Sequence, residues 1–384
     1  MLDYLKKAAM SNDEVLIEEQ DAKGGKIGFA QLNSKRTLNS LNPPLIDKLT
    51  KCLSSWAERE DIVCVVLYSA GDKAFCVGGN VVELYHSILA SDSNVPLTEA
   101  DSFFAAEYRL QYQIHTYPKP ILCWSHGIAM GSGFGLMAGA SHRVVTPETM
   151  LAMPEIAIGL FPDAGATWFL NRMPARIGLY LGVTGTRLDS IDAVQLGLAD
   201  YFITHEKRDA VFAALIEQNW DCENVTSNNS LLAHTLRDFD DECHSNRPSP
   251  SLNNSRLDHI TRVTDNFSML SFYEAMVNAG QTDPWIRAGV ENIEYGSPTS
   301  MALAYAQLQS GRLLSLKQAF MREFNQAAHC IRQPDLAEGV RALLVDKDRA
   351  PKWMPATLQE LTAEYVNKYF YLPPDYQNHP LADL

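Results

Sequence analysis

The order of apolar and polar positions changes character part-way along the chain. Residues 27–32 read as a strand. Leu45, Leu49, Cys52, Leu53 and Trp56 recur at offsets of three and four, which predicts a helix over 45–56 with one buried stripe. The run IVCVVLY at 62–68 is unbroken and rich in β-branched residues, as in a strand covered on both faces. Residues 120–125 and 143–146 predict two further strands. Strands alternating with helices predict an α/β fold with crossover helices. From about Ser190 onward helical patterns dominate and strands are scarce. The tract 221–258 is rich in Asn, Ser, Asp and Pro and reads as an exposed, partly helical insertion or linker. A helical pattern returns over 297–330, opened by Ser297 as cap with Pro298 at the first helical position. No internal repeat or coiled-coil heptad is visible.

Composition narrows the class. A chain of 384 residues suggests one large domain plus a second unit, or two domains. Hydrophobic residues at 46% and charged residues at 20% agree with a packed core. No apolar run reaches the roughly 18 residues of a membrane span, so no membrane partner is expected. The first twenty residues carry acids and lack an apolar core segment, so neither a secretory signal nor a transit peptide is expected. A net charge of −14 argues against nucleic-acid binding, which needs a basic face. The seven cysteines (Cys52, Cys64, Cys76, Cys123, Cys222, Cys243 and Cys330) are odd in number, form no CxxC and lie mostly in apolar segments. They read as reduced core residues of a cytoplasmic protein, with no support for structural zinc.

Three stretches carry candidate chemistry. GDKAFCVGGN at 71–80 and HGIAMGSGFGLMAGA at 126–140 each follow a strand and open a helix through glycines. The first N–H groups of a helix lack internal partners and sit at its positive end. Two such ends together would stabilise an oxyanion, although the glycines also suit tight turns or close packing alone. The third stretch, MPEIAIGLFPDAGATWF at 153–169, sets Glu155 and Asp163 among apolar neighbours. A buried carboxylate is costly unless paired or hydrogen-bonded. Capping a helix is the plainer role for Asp163, and pairing with an arginine the plainer one for Glu155. Upstream, Thr98-Glu-Ala-Asp101 fits a capping box. The helix it opens places Glu107 on the mainly apolar face of Phe103, Phe104, Leu110, Gln111 and Ile114. Glu107 there makes a structural hydrogen bond or lines a pocket.

Together LNSKRTLNSL (32–41), DKAFCVGGN (72–80), HGIAMGSGFGL (126–136), MPEIAIGLFPDAGAT (153–167) and GVTGTRLDSIDAVQLGLADYFI (182–203) resemble the crotonase, or enoyl-CoA hydratase/isomerase, superfamily. Within it the chain is most similar to the 3-hydroxyisobutyryl-CoA hydrolase branch, through the Glu155/Asp163 pair, FFAAEY with Glu107, and EGVRALLVDKDRAPKWMPA at 338–356. The resemblance implies a crotonase-like ββα spiral core over 14–205, and a mainly helical C-terminal region over 206–384 with a polar insertion near 221–258. It implies hydrolysis of a short 3-hydroxyacyl-CoA thioester, as in valine breakdown. The thioester carbonyl would meet the N–H groups of Gly79 and Ser132. Glu155 would act as nucleophile or as base toward water, and Asp163 would orient the water or the substrate hydroxyl. Glu107 would hold the polar end of the acyl group. Lys35, Arg36 and Lys73 flank the family's CoA-binding segments and are candidates for the phosphates. No metal or redox cofactor is implied; CoA is part of the substrate. Superfamily members often form trimers, so a homo-oligomer is left open.

This sequence departs from the family pattern at three points. The second glutamate of a true hydratase falls at Gly135, Ser132 stands for the middle glycine of a GGG turn, and Asn80 stands for the usual Asp. Gly135 argues against hydration more than against isomerisation. An isomerase or hydratase with one working acid, and a non-catalytic acyl-CoA binder, remain the alternatives.

Overall fold

A computed structural model describes residues 13–90, 98–266 and 268–384. It holds two compact units, each gathered from three stretches of chain. The first takes the chain up to Gly79, Gln113–Leu151 and Asp189–Ser249; the second takes Asn80–Tyr112, Ala152–Leu188 and Pro250–Leu384. This differs from the division at 205/206 drawn from the sequence. A change in helix content along the chain reports local pattern, whereas compactness depends on where the chain returns.

The first unit is built on strands β1 (Val15–Ala22), β2 (Gly25–Leu32), β3 (Ile62–Ser69), β4 (Ala74–Cys76), β5 (Ile121–Ser125), β6 (Ile128–Met130) and β7 (His142–Val145). Strands β8 (Met150–Ala152) and β9 (Leu188–Asp189) lie where the chain passes from one unit to the other, and β10 (Tyr201–Phe202) completes the set. The large sheet has the order β1-β2-β3-β5-β7-β10, and the smaller one β4-β6-β8-β9. β1 and β2 are antiparallel around a two-residue turn at Lys23-Gly24. Gly24 has φ 83°, a conformation the tight hairpin turn favours and most side chains resist. The remaining pairings in the large sheet are parallel. All eight residues of β3 are buried, which is why its sequence is continuously apolar rather than alternating.

The predicted helix is Pro43–Glu58. Asn42 caps it, its side chain accepting from Leu45 N at 3.0 Å, and prolines fill the first turn, where no N–H is needed. The stripe Leu45, Ile46, Leu49, Cys52, Leu53 and Trp56 is buried. Each large apolar side chain in it contributes about 1.5–3 kcal/mol relative to exposure, against about 1 kcal/mol for the cap. Burial therefore decides the position of this helix, and the cap its start.

The polar tract 221–258 is mostly exposed and partly helical, as its composition suggests, but one of its helices joins a core. Asn224 caps a helix over Val225–Glu242, accepting from Ser227 N at 2.9 Å. That helix buries Leu232 and Leu236 in the core of the first unit with Phe202, Phe212 and Trp220. Its Asp240 accepts from the Phe202 N–H at 2.9 Å. The apolar positions are few but correctly spaced, so composition hides them. The chain leaves the first unit between Ser249 and Pro250.

The second unit is mainly helical. Its core joins Leu84, Phe104, Tyr108, Phe161, Phe320 and Phe324. The capping box forms as expected: Asp101 N donates to Thr98 Oγ1 at 3.1 Å, and Thr98 N donates to Asp101 Oδ2 at 2.9 Å. The box opens the helix Glu99–His115, which carries Glu107. Asp101 is fully buried and also accepts a two-pronged contact from Arg332 at 2.9 and 3.0 Å. Removing one partner of such a pair costs about 3–5 kcal/mol, so the C-terminal region and this helix are locked together. Ser297 caps Pro298–Ser310, accepting from Ser300 N at 3.1 Å.

All seven cysteines are free; six are buried and Cys222 is exposed. Among the described residues no helix is long and apolar enough to cross a membrane, and no cluster of His, Cys, Asp and Glu is arranged to hold a metal.

Candidate active site

In the first unit the two glycine-rich turns come together. β4 and β6 are paired in parallel, so the turns that leave them run side by side. Gly78 has φ 97°, and a Cβ there would lie 3.0 Å from the Met130 carbonyl oxygen and 3.4 Å from Ser132 N. A Cβ on Gly133 would lie 2.0 Å from the Cys76 carbonyl oxygen, an impossible contact. The glycines thus allow close packing of backbone on backbone, the plainer of the two readings. That packing also sets the Gly79 and Ser132 amides in neighbouring turns. Ser132 is the first residue of the helix Ser132–Gly139, where an N–H has no helical partner. Neither amide donates to another group among the described residues.

The candidate phosphate ligands also belong to this unit. Lys35 and Arg36 lie in a short turn of 3-10 helix, and Lys73 in the loop before β4; all three are exposed. None of them forms an ion pair among the described residues. The two segments are tied by Asn39, a buried residue at φ 58° whose Nδ2 donates to the Ala70 and Ala74 carbonyls at 3.0 and 3.1 Å. The Lys35 stem passes over Gly71, where a Cβ would be 3.5 Å from its Cγ. An acidic chain thus keeps three cations unpaired along two joined loops.

In the second unit the structure brings Glu107, Glu155 and Asp163 together. Glu155 opens a 3-10 turn, Glu155–Ile158, and is 5% exposed. Its Oε2 is buried with no partner, and no arginine or lysine pairs with it among the described residues. The arginine-partner reading of Glu155 therefore fails. Burial first, then the negative charges of Asp163 and Glu107, hold its pKa well above the usual carboxylate range. Asp163, 2% exposed, is also raised by burial, but the Tyr108 hydroxyl donates to its Oδ2 at 2.7 Å and favours the charged form. The two acids therefore titrate as a pair in which Asp163 ionises more readily. Glu107 is 1% exposed and accepts from Gln111 Nε2 at 3.4 Å.

The capping reading of Asp163 also fails, for a specific reason. The helix after it, Ala166–Phe169, starts at Gly165 with no side-chain cap from its own segment. Glu323, on the helix Leu316–Cys330, supplies that function from 158 residues away, accepting from Gly165 N at 2.8 Å and Thr167 N at 2.8 Å. Asp163 is left free to bond Tyr108. Neither Tyr108 nor Glu323 stands out in the sequence pattern, though signals exist. Tyr108 falls four residues after Phe104 on the buried face. Glu323 interrupts the apolar stripe Ala319, Phe320, Phe324, Ala327, where an acid has no solvation.

Comparison with known proteins shows the family. The family model described as enoyl-CoA hydratase/isomerase matches residues 27–370. The chain belongs to that family. It is 33% identical to the zebrafish (Danio rerio) mitochondrial 3-hydroxyisobutyryl-CoA hydrolase over 94% of this chain and 91% of the relative. It is 32% identical to 3-hydroxyisobutyryl-CoA hydrolase 1 of Arabidopsis thaliana, over 94% and 92%. Among solved structures, a carnitinyl-CoA dehydratase from Mycobacterium thermoresistibile superposes with TM-score 0.82 at 31% identity, covering 94% of this chain and 98% of that one. The fold is thus the crotonase-like α/β spiral with a helical C-terminal region. In this member of the family Gly135 is buried in the helix Ser132–Gly139, so that position offers no second acid.

Proposed function

We propose that this protein hydrolyses 3-hydroxyisobutyryl-CoA to 3-hydroxyisobutyrate and CoA, a step of valine breakdown. The observation that carries the reading is the buried acid pair: Glu155 has an unpartnered Oε2 and no cation, while Asp163 is held by Tyr108. Binding alone gives no reason to keep such a pair. The hydrolases in zebrafish and Arabidopsis, similar over nearly the whole chain, support the substrate.

The roles follow from the chemistry of each group. The amides of Gly79 and Ser132 receive the thioester oxygen as it gains charge; one such donor is worth about 3–4 kcal/mol of barrier. Glu155 in its ionised form attacks the carbonyl carbon or takes a proton from the attacking water. As base, Glu155 takes a proton from water, the hydroxide adds to the carbonyl carbon, the carbon–sulfur bond breaks, and Glu155 returns the proton to the CoA sulfur. As nucleophile, it forms an acyl-enzyme anhydride while CoA leaves as its thiolate; water then cleaves the anhydride to the free acid, its second proton going to the thiolate. Asp163 orients the water or the substrate hydroxyl, and Glu107 holds the polar end of the acyl group. Lys35, Arg36 and Lys73 meet the CoA phosphates, which offsets the overall acidity of the chain. The reaction needs no metal or redox cofactor. A cytoplasmic location is part of the proposal; "mitochondrial" in the name of the zebrafish relative describes that protein, and cell fractionation decides.

The Mycobacterium neighbour, a carnitinyl-CoA dehydratase, favours a second reading in which the acids run an elimination or isomerisation. A thiol reagent separates the two, because only hydrolysis frees the CoA sulfur.

A further inference from the structure

The loop that bears Asp163 is held in a conformation its own residues resist. Ala164 has φ 60° and Gly165 φ 86°, consecutive left-handed positions, and the first of them is not a glycine. The Ala166 N–H closes the turn on the Asp163 carbonyl at 2.9 Å. Such a turn persists only where its surroundings over-determine it.

Two buried side chains from the C-terminal helices do this. Glu323 is fully buried and takes the Gly165 and Thr167 N–H groups, one on each carboxylate oxygen, at 2.8 Å. Gln307, also fully buried, donates through Nε2 to the Pro162 carbonyl at 2.7 Å and to Thr167 Oγ1 at 2.6 Å. The contacts bracket Asp163: one falls just before it and three just after. Together they fix the backbone on both sides of an acid whose own side chain is fixed by Tyr108. A carboxylate on a helix interior packed against Phe320 and Phe324 has no solvation to recommend it. Its placement makes sense as a brace for this loop.

We infer that Glu323 and Gln307 are positioning residues that set Asp163 in its working orientation, making the C-terminal helices part of the hydrolytic machinery. The inference rests on the thioesterase reading above and deepens it.

The test is a double-mutant cycle on the full chain, read by thiol release from 3-hydroxyisobutyryl-CoA, with unfolding curves to establish that each variant is folded. A displaced acid lowers turnover without weakening substrate capture. Assayed above about pH 8, where Glu323 is ionised and both of its oxygens accept, Glu323→Gln keeps the shape but turns an NH2 toward one of the two N–H groups, and is therefore expected to lower kcat about a hundredfold with KM nearly unchanged. In an Asp163→Asn background it is expected to lower kcat no further, because it acts through Asp163. Gln307→Met is read by the same two criteria and decides the matter if Glu323→Gln does not fold. Wild-type kcat in the single variants, or a loss that multiplies undiminished on top of Asp163→Asn, overturns the inference. Absence of thiol release by the wild-type protein overturns the thioesterase reading instead, so the two failures are distinct.

Discussion

The Tyr108 hydroxyl donates to Asp163 Oδ2 at 2.7 Å, with both residues buried in the second unit. This bond explains why two adjacent acids differ. Asp163 has a donor that favours its charged form, whereas Glu155 has an orphan oxygen and two negative neighbours. Glu155 is therefore the more reluctant of the two to ionise.

Tyr108→Phe tests the bond. Hydrogen bonds to charged groups are worth about 1.5–3 kcal/mol, so kcat is expected to fall roughly 10- to 100-fold while the protein stays folded. Steady-state kinetics with a thermal unfolding control measures both. Unchanged kcat would show that the hydroxyl has no part in catalysis.

The pH dependence of turnover follows from the same asymmetry. Glu155 works only when deprotonated, and its pKa is raised. Activity is therefore expected to fall on acidification at a pH above the ordinary carboxylate value of about 4.3. Removing the neighbouring charge in Asp163→Asn should move that acid limb to lower pH in whatever activity remains. A limb that stays in place or moves upward contradicts the coupling of the pair.

Stability carries a related signature. Glu323 is pushed up to about 8 in the folded protein, mainly by burial, and Glu155 and Asp163 are raised as well. A raised folded pKa gives stability that is complete below the unfolded value and lost as pH rises through the folded value. For Glu323 that window runs from about 4.5, the value of an unperturbed glutamate, up to about 8. Tm is expected to fall across it, and Glu323→Gln is expected to flatten the decline. A Glu323→Gln variant with the wild-type slope would refute this.

How much of this was legible in the sequence varies with the element. β3 and the helix Pro43–Glu58 are legible because one periodicity dominates each. So are the two glycine turns and the acids of 153–169, since glycines at strand ends and carboxylates in apolar runs are conspicuous. The compact units are not legible, because each is assembled from three separate stretches. The role of Glu323 is hidden for the same reason: its partners at Gly165 and Thr167 are remote in sequence, and a single acid in a helix stripe gives no hint of what it caps. Composition shows the exposed, partly helical character of 221–258 but not that Leu232 and Leu236 bury one face of its first helix.

The turn glycines give a prediction about main-chain donors. Ser132→Ala keeps the backbone N–H and is expected to retain most activity. Gly133→Ala places a Cβ 2.0 Å from the Cys76 carbonyl oxygen, so β4 and the turn must separate. Loss of one donor amide from its place is expected to cost about 10²–10³ in kcat. Equal activity in the two variants would remove the amides from the account.

The most direct measurement is CoA thiol release from a panel of short acyl-CoA thioesters, by the wild-type protein and by Glu155→Gln. The expected result is turnover by wild type with preference for 3-hydroxyisobutyryl-CoA, and a folded Glu155→Gln variant that has lost most of it. A wild-type protein that frees no thiol while it hydrates or isomerises an enoyl-CoA, or a Glu155→Gln variant with full hydrolysis, would contradict the account.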